Sequence, residues 1–142
     1  MSKSNSLENS LLLLLFNGTA IADLAENDTT TPATNLYVSL HTSDPGEAGT
    51  QATNETTYTS YARVAVARSG AGWTVTNNSV SPAANIDFPA CTGGTATITH
   101  FGVGVGASGA TVLLYSGTVT DNISVSNGVT PRLTTASAIT ED

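Results

Sequence analysis

Leu36, Val38 and Leu40 alternate with Tyr37, Ser39 and His41 and run into Asp44-Pro45-Gly46, and this stretch constrains the fold more than any other. A period of two is the pattern of a strand that buries one face and turns the other to water. It stops for mechanical reasons. Proline gives no N–H to a ladder and fixes its own φ, while glycine accepts the positive φ of a tight turn. The stretch therefore predicts an inner strand of a β-sandwich that runs into a loop. Residues 43–60 carry Gly46, Gly49 and a string of polar residues without periodicity, which predicts a long surface loop of the kind that commonly carries binding groups.

Further strand patterns follow at the spacing of an all-β domain. Residues 61–67 set Ala62, Val64 and Val66 against Tyr61, Arg63 and Ala65. Residues 73–75 make a short apolar-polar-apolar step after the turn Ser69-Gly70-Ala71-Gly72, and residues 84–88 read as a half-buried strand ended by Pro89. Residues 95–105 place Thr97, Thr99, Phe101, Val103 and Val105 on one side and Ala96, Ile98 and His100 on the other. Segments 111–119, 123–125 and 132–139 complete the series. The expected class is mainly β: an antiparallel β-sandwich or jelly-roll, a single domain over residues 1–142 with one N-terminal α-helix. Within it, residues 5–17 are the helix, 18–35 an acidic, threonine-rich linker and 36–142 the β-domain.

The helix has start and stop signals. Asn5 can cap it with Glu8 three residues on, and Asn17-Gly18 supplies the left-handed residue that ends it. Leu7, Leu11, Leu14 and Leu15 fall on one face, and Leu12, Leu13 and Phe16 widen the apolar surface beyond one stripe. Such a helix needs more than one surface to cover it. Burial in its own domain is the plainer reading; presentation to a neighbour is the functional one, with Leu7, Leu11, Leu12, Leu15 and Phe16 as candidate assembly-interface residues. A last helical turn is expected around residues 21–24. Lys3, the run 11–16 and Ala20-Ile21-Ala22 imitate a secretory signal, but six apolar residues are too few for one and far short of the roughly twenty that cross a bilayer. The segment is taken as part of the fold, and no membrane insertion is expected.

Charge narrows the partners. Only 11% of the chain is charged, against about a quarter in ordinary soluble domains, and Lys3, Arg63, Arg68 and Arg132 face eleven acids for a net charge of −7. Four scattered cations make no phosphate-binding patch, which argues against nucleic acid and anionic membranes as partners. Arg63 is the most distinctive of them, expected either to pair with an acid across strands or to reach a subunit interface. Cys91 is alone, so no internal disulfide can form, and it reads as a small buried hydrophobe.

The motifs point away from catalysis. Gly104-Val105-Gly106-Ala107-Ser108-Gly109 matches the dinucleotide fingerprint by letter, yet a strand pattern follows where a helix must receive the pyrophosphate, so a glycine-rich hairpin is expected. His41 and His100 show no paired metal-ligand spacing and are assigned to packing or to a hydrogen bond with a nearby loop. No Gly-x-Ser-x-Gly elbow is present to support a Ser-His-Asp arrangement. Asn-x-Ser/Thr triplets at Asn17, Asn27, Asn54, Asn77 and Asn122 need only chance in a chain this rich in those residues. No catalytic, cofactor-binding or metal-binding residue is assigned.

Taken in order, Ser6-Leu7-Glu8-Asn9, Leu36-Tyr37-Val38, Asp44-Pro45-Gly46-Glu47, Tyr61-Ala62-Arg63, Phe88-Pro89-Ala90, Thr99-His100-Phe101-Gly102 and Leu114-Tyr115-Ser116-Gly117 span nearly the whole chain. In that order they resemble a family of small bacteriophage virion proteins labelled tail fibre proteins. The resemblance implies a non-enzymatic structural protein, made in a host cytoplasm and carried on the virion. Because the sequence shows no shaft repeat, the first expectation is a capsid decoration or cement protein that contacts the phage major capsid protein as a homo-oligomer. The alternative is a tail-fibre or adhesin component that contacts tail proteins or a host surface receptor. A carbohydrate-active enzyme is the third reading, with Asp44, Glu47, Glu55 and Asp87 as candidates only by being acids near strand ends.

Overall fold

A computed structural model describes residues 3–21 and 32–141. The elements run α1 (Asn5–Asn17), β1 (Asn35–His41), β2 (Val64–Ala67), β3 (Trp73–Thr76), β4 (Ser79–Pro82), β5 (Ile86–Asp87), β6 (Ala96–Gly104), β7 (Leu113–Val125), β8 (Arg132–Leu133) and β9 (Ile139–Thr140). The chain is thus mainly β with one N-terminal helix, and its sheets are antiparallel wherever their register is defined. It gathers into two compact units, one from residues 1–35, 66–85 and 134–142, the other from residues 36–65 and 86–133. Most of the acidic linker, and the helical turn expected around residues 21–24, lie outside the described residues.

In the first unit α1 packs on β3 and β4, and β4 also pairs with β9. Helix α1 covers the expected range, but its cap is one residue earlier than expected: the Ser4 hydroxyl accepts from the Leu7 amide at 3.3 Å, and Glu8 lies one turn inside the helix. Gly18 ends it at φ 67°, and its N–H bonds Leu13 O. The Arg68 guanidinium donates to the Leu14 and Leu15 carbonyls, where a cation also meets the negative end of the helix dipole. The buried face is Glu8, Leu12 and Phe16, at a spacing of four, and the Phe16 ring meets Trp73 edge-on at 4.9 Å. Leu11, Leu14 and Leu15 are half-buried and Leu7 is exposed. The apolar stripe that counting picks out is therefore not the one facing the core.

Gly18→Ala should cost about 1–2 kcal/mol, since a Cβ in the left-handed region meets the following carbonyl. A urea-unfolding midpoint checks this, with Gly18→Asn expected to lose less.

Strand β4 is absent from the sequence reading. Its hairpin with β3 turns at Asn77-Asn78, where Asn77 takes φ 54°, and an Asn pair between polar, threonine-rich runs was the available signal.

The second unit holds the sheet β2-β1-β6-β7, to which β2 contributes Val64 and Ala65, and the short β5-β8 pair. β1 aligns with β6 from Tyr37↔Gly104 to His41↔His100. The expectation of one wet face on β1 fails, because Ser39 and His41 are as fully buried as Leu40. β7 is one thirteen-residue strand where two were expected, and a register shift against β6 between Ile98 and His100 absorbs the interruption. The expected closing strand 132–139 divides instead into β8 and β9, which join different sheets. Cys91 is buried and its thiol donates to Gly93 O.

Candidate functional site: a polar clamp and an open cleft

The segment 43–60, expected to be a long surface loop, does expose many of its residues, but several of its side chains are anchored inward. Asp44 Oδ1 accepts from the Gly46 amide at 2.8 Å, with Gly46 at φ 70°, so the Asp-Pro-Gly turn forms as expected. Beyond it Gln51 and Thr56 are buried, and Glu55 turns inward to meet Arg63.

Arg63 is the centre of this arrangement. Its Nε donates to Glu55 Oε1 and its Nη2 to Glu55 Oε2, both at 2.7 Å, a two-point fork on the carboxylate. Nη2 also donates to Gly109 O at 2.8 Å, and Nη1 to Gly106 O at 2.9 Å and Thr111 Oγ1 at 3.0 Å. All five N–H groups of the guanidinium are used. The Thr111 hydroxyl in turn donates to Gln51 Oε1 at 2.8 Å, which also accepts from the Gly106 amide, while Gln51 Nε2 donates to Tyr37 O. Tyr61 donates to Glu55 Oε1 at 2.9 Å and accepts from the Leu40 amide at 3.0 Å.

Burial and the Glu55 carboxylate push the Tyr61 hydroxyl far above the usual tyrosine range, and the bonds to Glu55 hold Arg63 protonated. What these groups do chemically is hold the β6–β7 hairpin loop, residues 105–112, against the 51–63 segment. The glycines of the fingerprint-like sequence serve that purpose. A Cβ on Gly104 would collide with the Gln51 amide and the Val112 carbonyl, so close approach of chain to chain, not a pyrophosphate, requires it. The hairpin expected from sequence is the one found.

His41 Nδ1 lies 2.8 Å from Thr53 O and Nε2 lies 2.9 Å from the Ser39 hydroxyl. With the proton on Nδ1, the ring donates to the carbonyl and accepts from Ser39. This is a loop anchor rather than part of a triad: both side chains are fully buried, and the third partner is a backbone carbonyl. Burial holds the His41 pKa below the usual 6.5. Its contribution is therefore complete above about pH 6.5 and declines as the pH falls below it, because the unfolded chain binds the proton first. Unfolding midpoints taken at pH 7.5 and pH 5 should fall on acidification, and the fall should be smaller in His41→Gln.

The six residues expected at an assembly interface are dispersed. Leu12 and Phe16 are 0% exposed and belong to the core of the first unit. Leu11 and Leu15 are half-buried on the same helix, and Leu7 is 40% exposed. The Arg63 side chain, 2% exposed, belongs to the second unit and takes the first of the two options open to it, pairing with Glu55. Of the four candidate acids, Glu55 is committed to Arg63 and Tyr61, and Asp87 forms a two-point pair with Arg132 that lowers its pKa.

Asp44 and Glu47 line a cleft of about 500 Å³ in the second unit. Its other walls are Gly46, His100 of β6 and residues 113–118, Leu-Leu-Tyr-Ser-Gly-Thr. Sequence reasoning named the two acids but not the strand residues opposite them, which only β-pairing brings near the Asp-Pro-Gly turn. Among the described residues no group of three or more His, Cys, Asp or Glu could hold a metal ion. No described helix is long and apolar enough to cross a membrane.

The chain is thus mainly β, with a buried polar cluster around Arg63 that fastens loops of the second unit and an open cleft at its surface. The model of the family described as Podophage GP4 fiber I protein gp80 matches residues 2–140, and the chain belongs to that family. It is a phage virion protein of the tail-fibre type, as the motif order expected. A search of curated proteins gave no match.

Proposed function

We propose that the chain is a non-enzymatic fibre component of the phage tail, joined to other virion components and exposed outside the particle. The observation that carries this reading is the fibre-family match over nearly the whole chain. It reverses the preference between head and tail stated above. Capsid decoration was favoured because the sequence shows no shaft repeat, whereas membership of a fibre family supports the tail. The sealed Ser39-His41 pair and the committed Glu55 support a role without catalysis. In this reading Leu7, Leu11 and Leu15, the outward part of α1, attach the chain to a neighbouring tail protein rather than to the major capsid protein.

Immunogold labelling of intact particles tests the location. Label at the tail is expected, and label spread over the heads would overturn the reading. The attachment role is tested by Leu11→Asp with Leu15→Asp, which should fold yet be missing from purified particles; normal incorporation would refute it.

A further inference from the structure

We propose that a threonine-lined pocket in the second unit, beside the start of β6, binds a neutral polyhydroxylated ligand, namely a saccharide residue with adjacent hydroxyls. Local pairing builds it. Thr56 N donates to Leu40 O at 2.9 Å and Glu55 bridges His41, which lays the 55–56 stretch along the end of β1. Three residues on, Thr59 N donates to Gly93 O at 2.9 Å and Thr92 N to Thr59 O at 3.1 Å, which ties the same segment to the chain before β6. A pocket of about 370 Å³ is lined by residues 55–59 together with Thr42 and residues 94–96. Both ties fix its backbone before any ligand arrives, which keeps the ordering cost of binding low.

The lining selects the class of ligand. Five of the nine residues around the pocket are threonine, so groups that both donate and accept dominate its polar surface. One of them stands apart. Thr56 is 2% exposed, and its hydroxyl has no hydrogen-bond partner among the described residues. A buried hydroxyl left unpaired lowers stability, and an apolar side chain of the same shape would avoid that loss. A ligand hydroxyl supplies the partner it lacks. Thr57, Thr59 and Thr95 are exposed, and their hydroxyls make no hydrogen bond among the described residues, which leaves further donors and acceptors for the same ligand.

Charge narrows the class further. Glu55 is the one charged residue in the lining, and its charge is already met, because Arg63 forks onto both carboxylate oxygens at 2.7 Å. A cationic ligand therefore gains little there, and an anionic one meets a carboxylate. Oε2 takes only one bond of that fork and keeps a lone pair for a ligand hydroxyl. An apolar ligand would leave the Thr56 hydroxyl buried and unpaired. A neutral molecule dense in hydroxyls satisfies every group at once. The pocket shares no lining residue with the Asp44 cleft. Its chemistry is the same on a tail or on a head, so gold label over the heads would leave it untouched.

The test titrates the isotope-labelled full chain with D-glucose, D-galactose, L-rhamnose and N-acetyl-D-glucosamine, one at a time, and follows amide NMR shifts. Cyclohexanol, a six-membered ring with a single hydroxyl, and D-glucuronate are the controls. At least one of the four sugars should shift the amides of residues 55–59 and 94–96 to saturation, with both controls binding at least about tenfold more weakly. Thr56→Val keeps the shape of the side chain and removes the unpaired hydroxyl. It should weaken sugar binding about tenfold, the worth of one hydrogen bond, and leave the urea midpoint unchanged or higher. The proposal is overturned if none of the four sugars shifts those amides, or if cyclohexanol or glucuronate binds equally well. It is equally overturned if Thr56→Val binds sugar as tightly as the unchanged chain, or if that substitution lowers the midpoint, which would give the hydroxyl a task in the fold instead.

Discussion

Arg63→Ala is expected to lower the stability of the second unit by about 3–5 kcal/mol, the usual cost of breaking a buried ion pair by removing one partner. The size follows from what is left behind. Glu55, with its side chain only 16% exposed, loses both bonds of the fork, and the Gly106 and Gly109 carbonyls and the Thr111 hydroxyl lose their donor. Arg63→Lys should recover little, because an ammonium cannot fork onto the carboxylate and reach three further acceptors at once. Arg63→Met with Glu55→Met removes both charges and should cost less than Arg63→Ala alone. Urea midpoints give the stabilities, and hydrogen exchange at residues 105–112 should rise in Arg63→Ala before any other part of the unit responds. If the loop amides keep their protection, Arg63 is not what holds the hairpin.

Phe16→Ala should cost a further, separate 3–5 kcal/mol, this time in the first unit, by lost transfer energy and a cavity beneath α1. Phe16 is fully buried and its ring stands edge-on to Trp73. Trp73 is the single tryptophan, so fluorescence excited beyond the tyrosine absorption band reports this unit and no other part of the chain. A red-shifted spectrum and an earlier urea transition are expected for Phe16→Ala. Leu7→Ala, on the exposed side of the same helix, should move the midpoint by no more than about 0.5 kcal/mol. Equal effects of the two substitutions would mean that the helix is seated on a different face.

What could be read before the fold was known shares one property: it depends on residues close together in sequence. The helix range, its glycine stop, the Asp-Pro-Gly turn and the hairpin after β6 are each specified within a few positions, by capping, by φ preference or by alternation. The order of short motifs along the chain likewise sufficed to place it among phage fibre proteins, because order survives without knowledge of contacts. Misreadings began where two locally similar patterns compete. Ser39 and His41 look like the wet face of β1, yet partners across the sheet and in the 51–56 segment bury them. Leu7, Leu11 and Leu15 match the period of a helix face as well as Leu12 and Phe16 do, and only packing on β3 and β4 decides between them.

The amino-acid sequence by itself determined the class of fold, the helix with its end, the Asp-Pro-Gly turn and the hairpin after β6. Tertiary structure alone decided which polar groups are interior and where a cleft opens. Arg63 meets Gly109 across 46 positions, and Gln51 meets Gly106 across 55. A charge such as Glu55 goes inward only when its counter-ion and its hydrogen bonds arrive from distant parts of the chain at once, because desolvation outweighs any one of them alone. No local pattern encodes that arrival, so a surface acid and the anchor of a clamp look alike until the strands pair.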